Sequence, residues 1–296
     1  MPLFVFLSGS VAAIAFSADE VTQGVRASIR SLKARLSKAA IRLLLPFISW
    51  CVINQLVYHQ SDSIWSAVLL AFRRPDTALW FLLAIFYCIA IAAIFNVIFS
   101  VIYEFCKKMN LIKIANWVSD GRVQIVAMIL IWWAIREHTP RGAGLSLIRP
   151  YFIYYLLGIG FYKYLYTKLS FWIYLVAWLI FIGLIPFWSR TATDNFIEVG
   201  MKKSLPEELI FVYAGFVALS GAIMVIGMAK RISEIKQSPI KNFFVLCGQL
   251  SLGIYAIHYF FLQYAPAVLT PLIMSLFFAY LISSMPFLRI VLLGEK

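Results

Sequence analysis

Acidic residues are scarce in this sequence: 13 Asp and Glu stand against 26 Lys and Arg in 296 residues. None of the long apolar stretches holds a pair of carboxylates, which argues against a proton-coupled carrier, because proton relays within a bilayer use paired titratable groups. Cysteine is limited to Cys51, Cys88, Cys106 and Cys247, with no CxxC spacing. Neither a zinc site nor a disulfide framework is indicated, and these residues read as small buried hydrophobes. HExxH, GxSxG and P-loop motifs are absent, which removes the sequence grounds for a metalloprotease, a serine hydrolase or a nucleotide-hydrolysing motor. Gly158-Ile159-Gly160 does not extend to GxGxxG and lies in an aromatic run, where glycine serves packing. There are three histidines, His59, His138 and His258, and neither a fixed-period repeat nor a low-complexity tract.

What is present is apolar surface: 62% of the residues are hydrophobic and 17% aromatic. That much cannot be hidden inside a water-soluble particle of this size, so the bilayer is the expected solvent. Nine stretches are predicted to span it: Met1–Phe16, Leu43–Tyr58, Ala78–Tyr103, Val123–Ile135, Ser146–Tyr162, Leu169–Trp188, Leu209–Ala229, Phe243–Tyr264 and Val268–Ile290. The expected fold is all-α, a polytopic membrane helix bundle forming one domain over residues 1–296. Eighteen of the 26 cations fall in every second gap, among them Arg26, Arg30, Lys33, Arg35, Lys38 and Arg42 after the first stretch. The positive-inside rule makes those gaps cytoplasmic, with Met1 outside and Lys296 inside. The net charge of +13 then serves topology and contact with anionic lipid headgroups, and nucleic acid is not an expected partner.

An external start is unusual, because Met1 opens almost directly on an apolar stretch. Ala15-Phe16-Ser17-Ala18 looks like a signal-peptidase site, but no positive region precedes it. An additional helix before Met1 is the expectation.

Several segments in order resemble the membrane acyltransferase type 3 family. Met1 to Gly9 (MPLFVFLSG) is similar to its second helix, and Ile41 to Phe47 (IRLLLPF) to the basic entry of its third. Leu79-Trp80-Phe81-Leu82, the aromatic run from Tyr151 to Gly158, and Leu250 to His258 (LSLGIYAIH) are similar to later elements. The resemblance implies a bundle of about ten helices, an acyl-CoA donor (commonly acetyl-CoA) approaching from the cytoplasm, and a carbohydrate, exopolysaccharide or lipid-linked glycan as acceptor. It implies no bound cofactor and no metal, and a multi-pass location in a bacterial inner membrane. The family's first helix carries an arginine and, eleven positions later, a histidine thought to be catalytic. Ile48, Ala127 and Cys247 stand eleven positions before the three histidines, so that pair is not in this chain. The 296 residues alone are therefore expected to be inactive or impaired. Ala39 also departs from the family, where many relatives have an arginine.

Acyl transfer from a thioester to a hydroxyl needs a base, donors for the developing oxyanion and a grip on the donor. Coenzyme A carries several phosphate charges, and Arg35, Lys38 and Arg42, at i, i+3 and i+7, meet that need on one helix face. The same residues also read as anchors that snorkel to headgroups. Gly248, Ser251, Tyr255 and His258 form a small-and-polar stripe, read either as helix packing or as contact with the acceptor from the outer side. Trp80, at an outer helix start, fits an aromatic belt or a sugar-stacking platform. Arg149, entering an apolar span, needs a partner or water. No residue is assigned as catalytic from the sequence; His258 remains the candidate. Ser8-Gly9 reads as a site of close backbone approach. The alternative reading is a component that exports a polysaccharide or lipid-linked sugar.

Overall fold

The computed structural model describes residues 2–15, 19–57, 63–73, 79–138, 145, 148–184, 207–235, 238–262 and 269–295. Among them there are helices and no strands. In chain order they are α1 (Pro2–Ala15), α2 (Asp19–Thr22), α3 (Val25–Ala39), α4 (Leu45–Val57), α5 (Ile64–Arg73), α6 (Trp80–Lys108), α7 (Ile112–Ser119) and α8 (Gly121–Ile135). They continue as α9 (Ile148–Gly160), α10 (Phe171–Leu184), α11 (Glu207–Glu234), α12 (Pro239–Gln249), α13 (Ser251–Leu262), α14 (Leu269–Ser284) and α15 (Pro286–Leu293). His59 and Arg141 lie outside the described residues.

The core is organised on α6, whose 29 residues reach about 43 Å at 1.5 Å per residue, more than a hydrocarbon core of about 30 Å. On one side α1 crosses α9 with backbone against backbone. A Cβ on Gly9 would lie 2.0 Å from the Tyr155 carbonyl oxygen, and one on Gly158 2.1 Å from that of Phe6. Only glycine permits this approach, and Ser10 fills the remaining gap by donating to the Phe6 and Gly158 carbonyls. The close approach expected at Ser8-Gly9 is present.

The six-cation segment after the first stretch, expected as a cytoplasmic gap with a helix face at Arg35, Lys38 and Arg42, is helical from Arg26 to Arg42. α3, a π-helical turn (Ala40–Leu44) and α4 form one helix of 33 residues, Val25–Val57. Arg, Lys, Leu and Ala all favour helix, and the pattern is amphipathic: Ser28 and Ala39 are buried while Arg26, Arg30, Lys33 and Lys38 are exposed. α3 runs antiparallel to α6. The Val25 amide donates to Glu104 Oε1 at 2.8 Å, and the Ser28 and Ser100 hydroxyls meet at 2.5 Å. From that end Arg35 and Arg42 lie about 10 Å and 21 Å beyond Ser28 along the helix.

Three described helices are long and apolar enough to cross a membrane, or four if α7 and α8, bent by 78°, count together. The bend falls at Asp120, whose carboxylate caps α8 by accepting from the Arg122 amide at 2.8 Å. Two other expected spans are interrupted: Phe243–Tyr264 divides at Leu250 into α12 and α13, and Val268–Ile290 at Met285 into α14 and α15. The second break has a local cause, since Pro286 disfavours helix at the residue before it.

Candidate functional site

Pro46 determines the surroundings of Arg42. Without an N–H it cannot donate to the carbonyl four residues back, so the Arg42 oxygen loses its ordinary helical donor. The backbone widens there to a π turn, and the Leu45 amide reaches back to Ala40. π turns of this kind recur at functional sites. Gly294 lies against the released carbonyl: it has φ +67°, and a Cβ on it would sit 2.4 Å from the Arg42 oxygen. The turn holding Gly294 is a helix C-cap, with its amide bonded to Ile290 and that of Glu295 to Arg289. A second tie is Trp50, whose indole N–H donates to the Leu292 carbonyl at 2.9 Å.

A cleft of about 710 Å³ opens beside this contact, lined by Arg42, Gln249, Tyr280, Ser283, Arg289 and Glu295 among others. Arg289 Nε is buried and has no hydrogen-bond partner among the described residues. Within that set, no ion pair of Arg42 or Arg289 is found.

The three predicted donor-binding residues separate. Arg35 is turned into the bundle, its side chain 12% exposed, paired with Glu20, which also accepts from Ser31 at 3.2 Å. It interacts electrostatically with the buried Tyr155 hydroxyl. Lys38 and Arg42 remain exposed, and Arg42 alone of the three lines the cleft.

The acceptor-side candidates form an aromatic group. Trp80 packs on Tyr151 with ring centroids 5.2 Å apart, and Phe81 meets Tyr255 edge-on at 4.7 Å. Tyr255 also touches Phe4 at 6.3 Å and His258 at 5.3 Å. His258 Nδ1 lies 2.6 Å from the Tyr255 carbonyl oxygen, so in the neutral ring Nδ1 holds the proton and Nε2 the lone pair. Arg149 is half-buried at the start of α9, and its carbonyl accepts from the Trp132 indole at 3.3 Å.

Ser251 and Gly248 do not join this group. Both are exposed, and a Cβ on Gly248 would meet nothing within 4 Å among the described residues. The close helix approach expected there occurs at Gly253 instead, where a Cβ would lie 2.8 Å from Ala279 and 2.9 Å from Leu293. Gly253 therefore links the two sets. Leu293 and Gly294 connect it to Arg42, and Tyr255, two residues along α13, connects it to Phe81. Gly294 against the Arg42 carbonyl, and Gly253 against Leu293, bring the end of the basic segment up to α13, the helix that carries His258.

Sequence reasoning missed Gly253 and Arg289 as members of the site. The LSLG run held a signal for the first. The second was counted only as a topological cation.

A family model described as an acyltransferase domain matches residues 1–293. Searches of curated proteins and of solved structures find no match.

Proposed function

This chain belongs to the acyltransferase type 3 family, a membrane acyltransferase family transferring groups other than aminoacyl, and from that premise we propose that it transfers an acyl group, commonly acetyl, from cytoplasmic acyl-CoA to a hydroxyl of a carbohydrate, exopolysaccharide or lipid-linked glycan. The observation that carries this reading is the junction at Gly253, which sets a polar, arginine-lined cleft beside an aromatic group suited to a sugar ring. Aromatic faces suit the apolar faces of sugars, and arginine suits phosphate.

In this reading the donor enters at the Glu104 end and follows the exposed cations of α3, Arg30, Lys33 and Lys38, to Arg42. The acceptor rests on Trp80, Tyr151 and Tyr255, with His258 and Arg149 beside it. His258 Nε2 can accept a proton from an acceptor hydroxyl, since Nδ1 is held protonated by the Tyr255 carbonyl. The chain is expected in a bacterial inner membrane.

The test compares cells carrying the gene in its genomic context, as wild type or Arg42→Gln, by measuring O-acetyl groups on surface glycans. Loss of a specific O-acetyl signal in the variant, at unchanged protein abundance, is expected. An unchanged acetyl profile would sink the reading.

A further inference from the structure

The cleft beside Arg42 has a second arginine that the sequence resemblance does not assign. We propose that Arg289 and Arg42 together form a binding site for a phosphate-bearing anion, with the Gln249 amide and the Tyr280 hydroxyl as neutral hydrogen-bond donors around it. Resting on the donor reading above, the anion is the nucleotide end of coenzyme A.

Three observations carry this. Both arginines line one cleft of about 710 Å³, large enough for a nucleotide-sized group. The cleft holds two guanidinium groups against one carboxylate, Glu295, so its own charge is unbalanced in favour of an anion. No hydrogen bond or ion pair of the Arg289 side chain is found among the described residues, its shielded Nε included, so no described protein group competes with an anion for this guanidinium, and a charged donor group left unsatisfied is costly. A phosphate does so well, because guanidinium presents paired N–H groups that match phosphate oxygens.

The position of Arg289 is also built. It lies on α15, whose C-terminal turn is fixed to Arg42 through Gly294 and to α4 through the Trp50–Leu292 hydrogen bond. The two arginines are thus held in register by the same contact. An anchor snorkelling to headgroups would need no such fixing.

Two sources supply phosphate here: soluble donor and anionic lipid. The experiment measures binding of coenzyme A and of 3′,5′-ADP to the purified full chain in nanodiscs of phosphatidylcholine, and retention of phosphatidylglycerol by native mass spectrometry. Wild type, Arg289→Gln and Arg289→Lys are compared, with thermal unfolding to confirm the fold. Expected is coenzyme A binding that weakens at least tenfold in Arg289→Gln, with partial rescue by Arg289→Lys. Equal coenzyme A affinity in wild type and Arg289→Gln would overturn the inference and leave the donor reading standing. Arg289-dependent retention of phosphatidylglycerol without coenzyme A binding would keep the phosphate site and overturn the donor reading. Wild type binding neither ligand would overturn both.

Discussion

A single methyl group at residue 294 tests how tightly the site is fitted. Gly294→Ala would place Cβ against the Arg42 backbone and force alanine to keep φ +67°, so a loss of about 1–3 kcal/mol is expected from strain and overpacking. Lower thermal stability in detergent, with weaker coenzyme A binding, is the readout; unchanged values would refute the contact. The Arg35–Glu20 pair sits at the same scale. Both side chains are largely buried, and removing one partner of a buried pair costs about 3–5 kcal/mol because the other charge is left alone. Glu20→Gln is therefore expected to destabilise more than the double variant Glu20→Gln/Arg35→Gln, by the same unfolding measurement. Individual residues were unevenly legible in the sequence. Gly9 could be read, since a small residue in an apolar helix signals close packing. Gly253 had a signal in the LSLG run but its partners, Ala279 and Leu293, are distant in sequence, and Arg289 could not be read at all because its meaning depends on Arg42.

Among the elements, the long helix from Val25 to Val57 departs most from expectation. Its cations marked a gap between spans, because charge density marks segment ends in a hydropathy reading; a helix was read only from Arg35 to Arg42, and the amphipathic spacing that buries Ser28 against Ser100 was the weaker signal. Its π turn gives a test at this scale. Pro46→Ala returns an N–H to the Arg42 carbonyl and favours a regular helix, which would reorient the Arg42 side chain. Thermal stability is expected to hold or rise while coenzyme A affinity falls; unaltered affinity would show that the turn does not position the arginine. The bend between α7 and α8 is similarly local. Asp120→Ala removes the cap accepting from Arg122 and is expected to cost about 1 kcal/mol, read as faster amide exchange at the start of α8.

For the molecule as a whole, composition sufficed for the class: an all-helical membrane bundle follows from apolar runs and the absence of other motifs. The breaks at Leu250 and Met285 were not read, because a span-wide hydropathy average outweighs single polar residues and the local signal of Pro286. Cations of different alternate gaps meet rings of the same segment, with Arg122 over Tyr164 at 5.2 Å and Lys230 over Tyr174 at 5.8 Å. Single cysteines at the exposed positions Lys113 and His138, in a cysteine-free background, test which end faces the cytoplasm. A membrane-impermeant maleimide is expected to label His138→Cys in intact cells and Lys113→Cys only after permeabilisation. The reverse pattern would invert the arrangement and remove the route for a cytoplasmic donor.

The seating of Gly294 on the Arg42 carbonyl also has a temporal consequence. The ribosome must add some 250 residues between these two, on the order of ten seconds or more at about 5–20 residues per second. Throughout that interval the arginine is already synthesised but its pocket has no wall. On the donor reading, the site closes only when the turn at Gly294 docks, so a nascent chain is expected to hold no donor before then.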